Sequence, residues 1–131
     1  MTEKKHTILV TGSSGYVASE LIPLLHDGFS VFGVDNRPSP LTTTVVDISS
    51  SDFQSLADEM PSEGVSIVNL AAARFDFGAD ARDYYDLNVS CHEIFLGNLK
   101  NLNIEIFIHI SSVASFDGRK IPYSEKLGCD Y

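Results

Sequence analysis

Ile8-Leu9-Val10-Thr11-Gly12-Ser13-Ser14-Gly15-Tyr16-Val17-Ala18 carries an apolar run into a turn marked by two glycines and then into a helical pattern. Ile8, Leu9 and Val10 read as a buried parallel strand. Gly12 supplies backbone angles closed to other residues, Gly15 lets the main chain approach a ligand closely, and the small Ala18 lets the helix lie near the strand. The first N–H groups of that helix lack intrahelical partners and point at whatever anion occupies the turn. The order suits a pyrophosphate. A tight structural corner has the same local pattern, so the surrounding sequence has to decide.

A second apolar run, Val31-Phe32-Gly33-Val34-Asp35, ends in an acid that lies 20 residues beyond Gly15. An acid at that distance, at the end of the next strand, can accept both hydroxyls of a ribose. A carboxylate there repels a 2′-phosphate and so favours NAD over NADP, while Arg37, two residues on, keeps NADP open. The competing reading of Asp35 is a turn residue ahead of Pro38 and Pro40.

The chain of 131 residues has the size of one domain, and its 44% hydrophobic content is ample for a core. A formal charge of −9 argues against a nucleic-acid backbone or an anionic membrane as partner. The first residues show no charged-apolar-small leader, and no apolar run approaches membrane-spanning length, so a cytoplasmic location is expected. Cys91 and Cys129 have no metal-type spacing and read as free thiols, with Cys91 on the apolar face of a helix and expected in the core. His6, His26, His92 and His109 are scattered; no metal site is expected.

Strand and helix patterns alternate along the whole chain, which predicts an α/β fold: a Rossmann-like doubly wound parallel sheet of about five strands. The predicted strands cover about 7–11, 30–34, 43–46, 65–70 and 104–110. Helices are predicted over 15–26, from a cap at Ser51 or Asp52 to Pro61, and over 80–100. Gly28 reads as a left-handed stop, and Pro23 as a local conflict inside the first helix, where losing the hydrogen bond to the Ser19 carbonyl predicts a bend. In the longest helix Tyr84, Leu87, Asn88, Cys91, Ile94 and Phe95 recur at three- and four-residue steps and predict one apolar face. Asn88 is its odd member, either a structural bracket or part of a site. The fifth strand delivers Ser111 and Ser112 to its carboxyl end, the edge at which open α/β sheets bind ligands. Ala71-Ala72-Ala73 forms a small-residue corner at that same edge.

These motifs together resemble the extended short-chain dehydrogenase/reductase family, the NAD-dependent nucleotide-sugar epimerases and dehydratases, over nearly the whole chain. Thr11 to Ala18 is similar to that family's T-G-x-x-G-[FY]-[IV]-G turn, with Ala18 for the last glycine. Asp47-Ile48 resembles its acid-aliphatic pair at the adenine. Asn69-Leu70-Ala71-Ala72 resembles H-L-A-A with Asn69 for histidine, and Asn88-Val89 the start of N-V-x-G-T. Ile108 to Ala114 resembles V-x-x-S-S-x-A. The resemblance implies that Gly12, Ser14, Gly15, Tyr16 and Val17 hold the pyrophosphate and Asp35 the adenosine ribose, with Asn36 and Arg37 beside it. It further implies that Asp47 and Ile48 meet the adenine, and Leu70, Ala71 and Ala72 the middle of NAD. Asn88 and Ser111 complete the implied cofactor set. Ser112 takes the place of the family's catalytic Ser/Thr, which positions and polarises a substrate hydroxyl or carbonyl for hydride transfer.

The same family pairs a tyrosine with a lysine four residues later, one helical turn apart. Tyr123 is followed by Lys126 at three and by Leu127 at four, and it lies only 11 residues after Ser112, so it reads as a loop residue. Tyr131, 19 after Ser112, fits the family's separation better and is the implied catalytic tyrosine. Residues 1–131 thus read as one NAD(P)-binding Rossmann domain without the family's substrate domain, and truncation is the favoured explanation. The full-length protein is expected to be an enzyme, with this portion alone inactive. The alternative is a dinucleotide-binding regulatory domain without turnover. A flavodoxin-like or response-regulator-like domain fits the turn poorly, and no G-K-[ST] follows the glycines as a P-loop requires. Arg74 is a candidate for a substrate phosphate or carboxylate, or a solvated loop residue; a nucleotide-sugar is the implied substrate. The helix over 80–100 is where an apolar strip for a homodimer is expected.

Overall fold

The computed structural model describes residues 5–72 and 80–112. The loop residues Arg74 to Phe77, the segment 118–122, Tyr123, Lys126, Cys129 and Tyr131 lie outside them.

Among the described residues five strands form one parallel sheet: β1 (Thr7–Thr11), β2 (Ser30–Asp35), β3 (Thr44–Val45), β4 (Val65–Asn69) and β5 (Ile104–His109), in the order β3-β2-β1-β4-β5. The Rossmann-like doubly wound arrangement is therefore as the alternating pattern predicts. Because strand order reverses between β1 and β4, the loops leaving those two strands diverge and open a crevice at their carboxyl ends.

Helices cover both faces, as parallel strands with apolar side chains on each side require. On one face α1 (Tyr16–Leu25) sets Ala18 and Ile22 against Ile8, Val10 and Val68. On the other, α2 (Ser51–Asp58) and α4 (Cys91–Asn98) bring Phe53, Ala57, Phe95 and Leu99 against Leu9, Val34, Val65 and Ile67. The Phe53 and Phe95 rings are fully buried and meet at 5.4 Å. Each contributes on the order of 2–3 kcal/mol of burial to holding the two helices on the sheet.

Local chemistry corrects two predicted boundaries. Helix α2 is capped by Ser50, whose hydroxyl accepts from Phe53 N–H at 3.2 Å, and not by Ser51 or Asp52, which already lie inside the helix. Gly28 has no positive φ; α1 ends instead with the N–H groups of Gly28 and Phe29 both bonding the Leu25 carbonyl. Pro23 lies within α1, as the helix predicted over 15–26 has it.

The predicted helix over 80–100 is three consecutive pieces: α3 (Ala81–Tyr85), a π-helical turn at Asp86–Ser90, and α4. Asp80 opens it with a capping box, accepting from Arg82 and Asp83 N–H while Asp83 accepts from Asp80 N–H. The π turn adds a residue to the winding and rotates everything before it relative to everything after. The single predicted apolar face is consequently broken. Phe95 is buried, but Leu87, Asn88 and Ile94 are exposed, and Cys91 is half-buried rather than internal.

Candidate functional site

The site grows out of strand register. Thr11 stands opposite Val34 on β2 and Asn69 on β4, so Gly12, Asp35 and Leu70 all leave the sheet at one level. Gly12 takes φ +72°. A Cβ on it would sit 2.8 Å from both the Ala71 nitrogen and the Leu70 carbonyl carbon, so the turn lies directly against the main chain that leaves β4. Leu70 N–H also donates to the Thr11 carbonyl at 3.2 Å.

After the turn, Gly15 opens α1 with no side-chain cap, leaving the first helical N–H groups, at Tyr16 and Val17, for an outside acceptor. Asp35 lies across the turn. Its Oδ2 accepts from Ser14 N–H at 2.9 Å and from Ser14 Oγ–H at 2.8 Å, and its Oδ1 accepts from Arg37 N–H at 2.9 Å. Ser13, by contrast, is buried and structural: its N–H donates to the Val34 carbonyl and its hydroxyl bonds that of Thr42.

A cleft of about 410 Å³ follows these groups. It is lined by Gly12, Ser14, Gly15, Asp35, Asn36 and Arg37 at one end, by Asp47 and Ile48 at the side, and by Leu70, Ala71 and Ala72 across the sheet. These are eleven of the residues singled out from sequence, brought together from β1, β2, β4 and the segment after β3. The Asp47 turn is held from two directions. Ser49 donates its N–H and hydroxyl to Asp47 Oδ1, and Asn98 of α4 donates from Nδ2 to the carbonyls of Ile48 and Ser50 at 3.0 and 3.1 Å.

Four other lining residues, Val46, Leu87, Cys91 and His92, carry no sequence signal for a site. The last three face the cleft because the π turn rotates the helix at that point. Tyr16, Val17, Asn88, Ser111 and Ser112 do not line the cleft; all five are exposed, the first two on the opening turn of α1 and the serines just past β5. Tyr131 lies outside the described residues. Among the described residues no group of acidic, histidine or cysteine side chains could hold a metal ion, and no helix is long and apolar enough to cross a membrane.

The residues present fit a dinucleotide. A glycine cradle that a Cβ would fill, a helix start without a side-chain cap and a carboxylate at the tip of the neighbouring strand match a pyrophosphate followed by a ribose.

Known structures share this architecture. A short-chain dehydrogenase/reductase superfamily protein from Agrobacterium tumefaciens, solved with bound NAD, superposes with a TM-score of 0.80 at 24% identity, over 95% of this chain and 39% of that one. UDP-glucuronic acid 4-epimerase from Bacillus cereus, in complex with UDP-glucuronic acid and NAD, gives 0.77 at 24% identity, over 95% and 46%. UDP-N-acetylglucosamine 4-epimerase from Methanobrevibacter ruminantium M1 gives 0.78 at 22% identity, over 97% and 44%. The chain spans less than half the length of each of these proteins. No curated protein matches it by sequence. The sequence profile of one family matches residues 8–129, from the first strand through the glycine turn and beyond β5. On that match, which takes in every element of the cleft, the chain belongs to the NAD dependent epimerase/dehydratase family.

Proposed function

We propose that this chain is the NAD-binding portion of a nucleotide-sugar epimerase, dehydratase or related reductase. The observation that carries the proposal is the junction of Gly12, Asp35 and Ala71 at the carboxyl ends of three adjacent strands. When bound, NAD takes up and returns hydride at its nicotinamide. In this reading the Gly12 turn and the N–H groups of Tyr16 and Val17 hold the pyrophosphate. Asp35 exchanges its bonds with Ser14 for the ribose hydroxyls, and Asp47 and Ile48 border the adenine. The Asp35 charge disfavours a 2′-phosphate, so NAD is preferred to NADP.

The catalytic part of the reading rests on the family resemblance. Ser112 hydrogen-bonds the substrate hydroxyl or carbonyl and fixes it for hydride transfer, and Tyr131 moves the proton. The B. cereus and M. ruminantium enzymes act on UDP-sugars, which supports a nucleotide-sugar as substrate class. A cytoplasmic location accompanies that chemistry. Self-association through the 81–98 helix is supported by the exposure of Tyr85, Leu87, Val89, Ile94 and Leu96 along it.

Calorimetric titration with NAD and NADP tests the cofactor reading. Binding of NAD, tighter than NADP, is expected; a folded chain that binds neither overturns it. Hydride exchange with a nucleotide-sugar by the full-length protein separates an enzyme from a binding-only domain.

A further inference from the structure

Thr11, Asn69 and His109 occupy one row across β1, β4 and β5, each opposite the next in the parallel register. Thr11 and Asn69 are buried and His109 is exposed. Thr11 Oγ1–H donates to Asn69 Oδ1 at 2.5 Å, and Asn69 Nδ2 lies 3.0 Å from His109 Nδ1. At the other end, Ala71 N–H donates to Thr11 Oγ1 at 3.3 Å.

Donor and acceptor rules give this row a direction. An amide nitrogen only donates, so with Asn69 Oδ1 committed to Thr11, His109 must offer a lone pair at Nδ1 and carry its proton at Nε2. Protonated His109 bears hydrogen on both nitrogens and meets the Asn69 NH₂ donor to donor. Turning the amide over repairs that contact but moves the conflict to Thr11. Its buried hydroxyl hydrogen then loses its acceptor, while Oγ1 has to serve both Asn69 Nδ2–H and Ala71 N–H. Ala71 is the residue against which Gly12 leaves no room for a Cβ, so a disturbance there reaches the glycine turn.

We propose that Thr11, Asn69 and His109 form a positioning relay that holds Ala71 against the Gly12 turn while His109 is neutral, so that dinucleotide affinity falls as His109 takes up a proton. The proposal rests on the reading of the cleft as an NAD site. Its sign follows from the bonding: the relay is intact at high pH and is lost as pH falls. Around His109, β4 contributes the uncharged Asn69, and α4 contributes His92, whose ring lies edge-on at 6.0 Å. His92 Nδ1 is 3.3 Å from the Leu87 carbonyl, and its buried Nε2 has no hydrogen-bond partner among the described residues. Cys91 and Glu93 are the other titratable residues of that helix. His92 is therefore the neighbouring imidazole that a variant has to distinguish from His109.

The test is titration of the chain with NAD at about pH 5.5 and about pH 8, which bracket the change of charge of an imidazole. Affinity is expected to be about three- to ten-fold weaker at the lower pH, the effect of a disrupted buried hydrogen bond. H109Q, with a side-chain carbonyl that accepts from Asn69 at either pH, is expected to lose the dependence. N69D, whose carboxylate accepts from Thr11 and from a protonated His109 alike, is expected to flatten it, while H92Q keeps it. A dependence unchanged in H109Q, or abolished by H92Q instead, overturns the proposal. Nitrogen-15 NMR of the imidazoles in the ligand-free chain gives a reading independent of NAD. A proton on His109 Nδ1 at about pH 8 overturns the relay even where NAD binds. The Nε2–H tautomer in a chain that binds no NAD at either pH overturns the cofactor reading, and the affinity coupling with it.

Discussion

Asp35 and Ser14 are joined twice, the carboxylate Oδ2 accepting from both the backbone N–H and the hydroxyl of the serine, at 2.9 and 2.8 Å. The tip of β2 is thereby tied to the glycine turn after β1, across the mouth of the cleft. Each carboxylate oxygen has two lone pairs, and among the described residues Oδ1 accepts from the Arg37 N–H. The group that ties the turn to β2 is thus also the one proposed to accept from a ribose.

Asp35→Asn is expected to weaken NAD binding about ten-fold or more, as loss of a charge-assisted acceptor does. NADP binding should fall less, because the repulsion of a 2′-phosphate goes with the charge. The ratio of the two affinities, measured by calorimetry on wild type and variant, is the readout. An unchanged ratio removes Asp35 from cofactor selection.

Gly12→Ala and Gly28→Ala should behave oppositely, although both glycines punctuate turns. At Gly12 a methyl meets main-chain atoms at 2.8 Å in a left-handed conformation, and a loss of about 2–4 kcal/mol is expected. At Gly28 φ is not positive and no atom of the described residues lies within 4 Å of the new Cβ, so stability should hold or rise by up to about 1 kcal/mol. Urea unfolding of the two variants gives both numbers.

The same contrast shows what was legible in the sequence. The Gly12 turn could be read because strand, glycines and helix are contiguous and each residue type has a local steric reason. Asp35, Asp47 and Ala71 followed because a parallel sheet delivers every strand end to one edge. Gly28 misled because a left-handed stop is only one way to end a helix. Cys91 and His92 were hidden for a different reason: helical periodicity assumes a constant winding, and the turn at Asp86–Ser90 breaks it. Ile106, Phe107 and Ile108 of β5 are exposed at the edge of the described sheet, a position that the apolar pattern of a strand does not encode.

Asn98→Ala should loosen the adenine side of the cleft without touching a ligand. The Nδ2 group donates to two carbonyls, those of Ile48 and Ser50, and so pins the loop between β3 and α2 to α4. Loss of both bonds is expected to cost about 1–3 kcal/mol of stability. Amide hydrogen exchange should accelerate at Ser49 and Ser50 more than in β1; uniform acceleration would show a global effect instead.

Two adjacent residues of α4 test the broken helical register directly. Phe95 is fully buried between the Phe53 and Phe107 rings, at 5.4 and 6.4 Å, whereas Ile94 is 51% exposed. An unbroken apolar face through Leu87, Cys91 and Ile94 would bury both and make both truncations expensive. With the π turn in place, Phe95→Ala should cost about 3–5 kcal/mol in urea unfolding, and Ile94→Ala less than about 1 kcal/mol. Removing one residue from the turn, for example by deleting Val89, should restore regular winding and rotate α3 by about 100°. Leu87 then leaves the cleft wall, and NAD affinity should drop even where the sheet stays folded. Comparable losses for Ile94→Ala and Phe95→Ala would restore the single face and remove the π turn as the reason why Cys91 and His92 border the cleft.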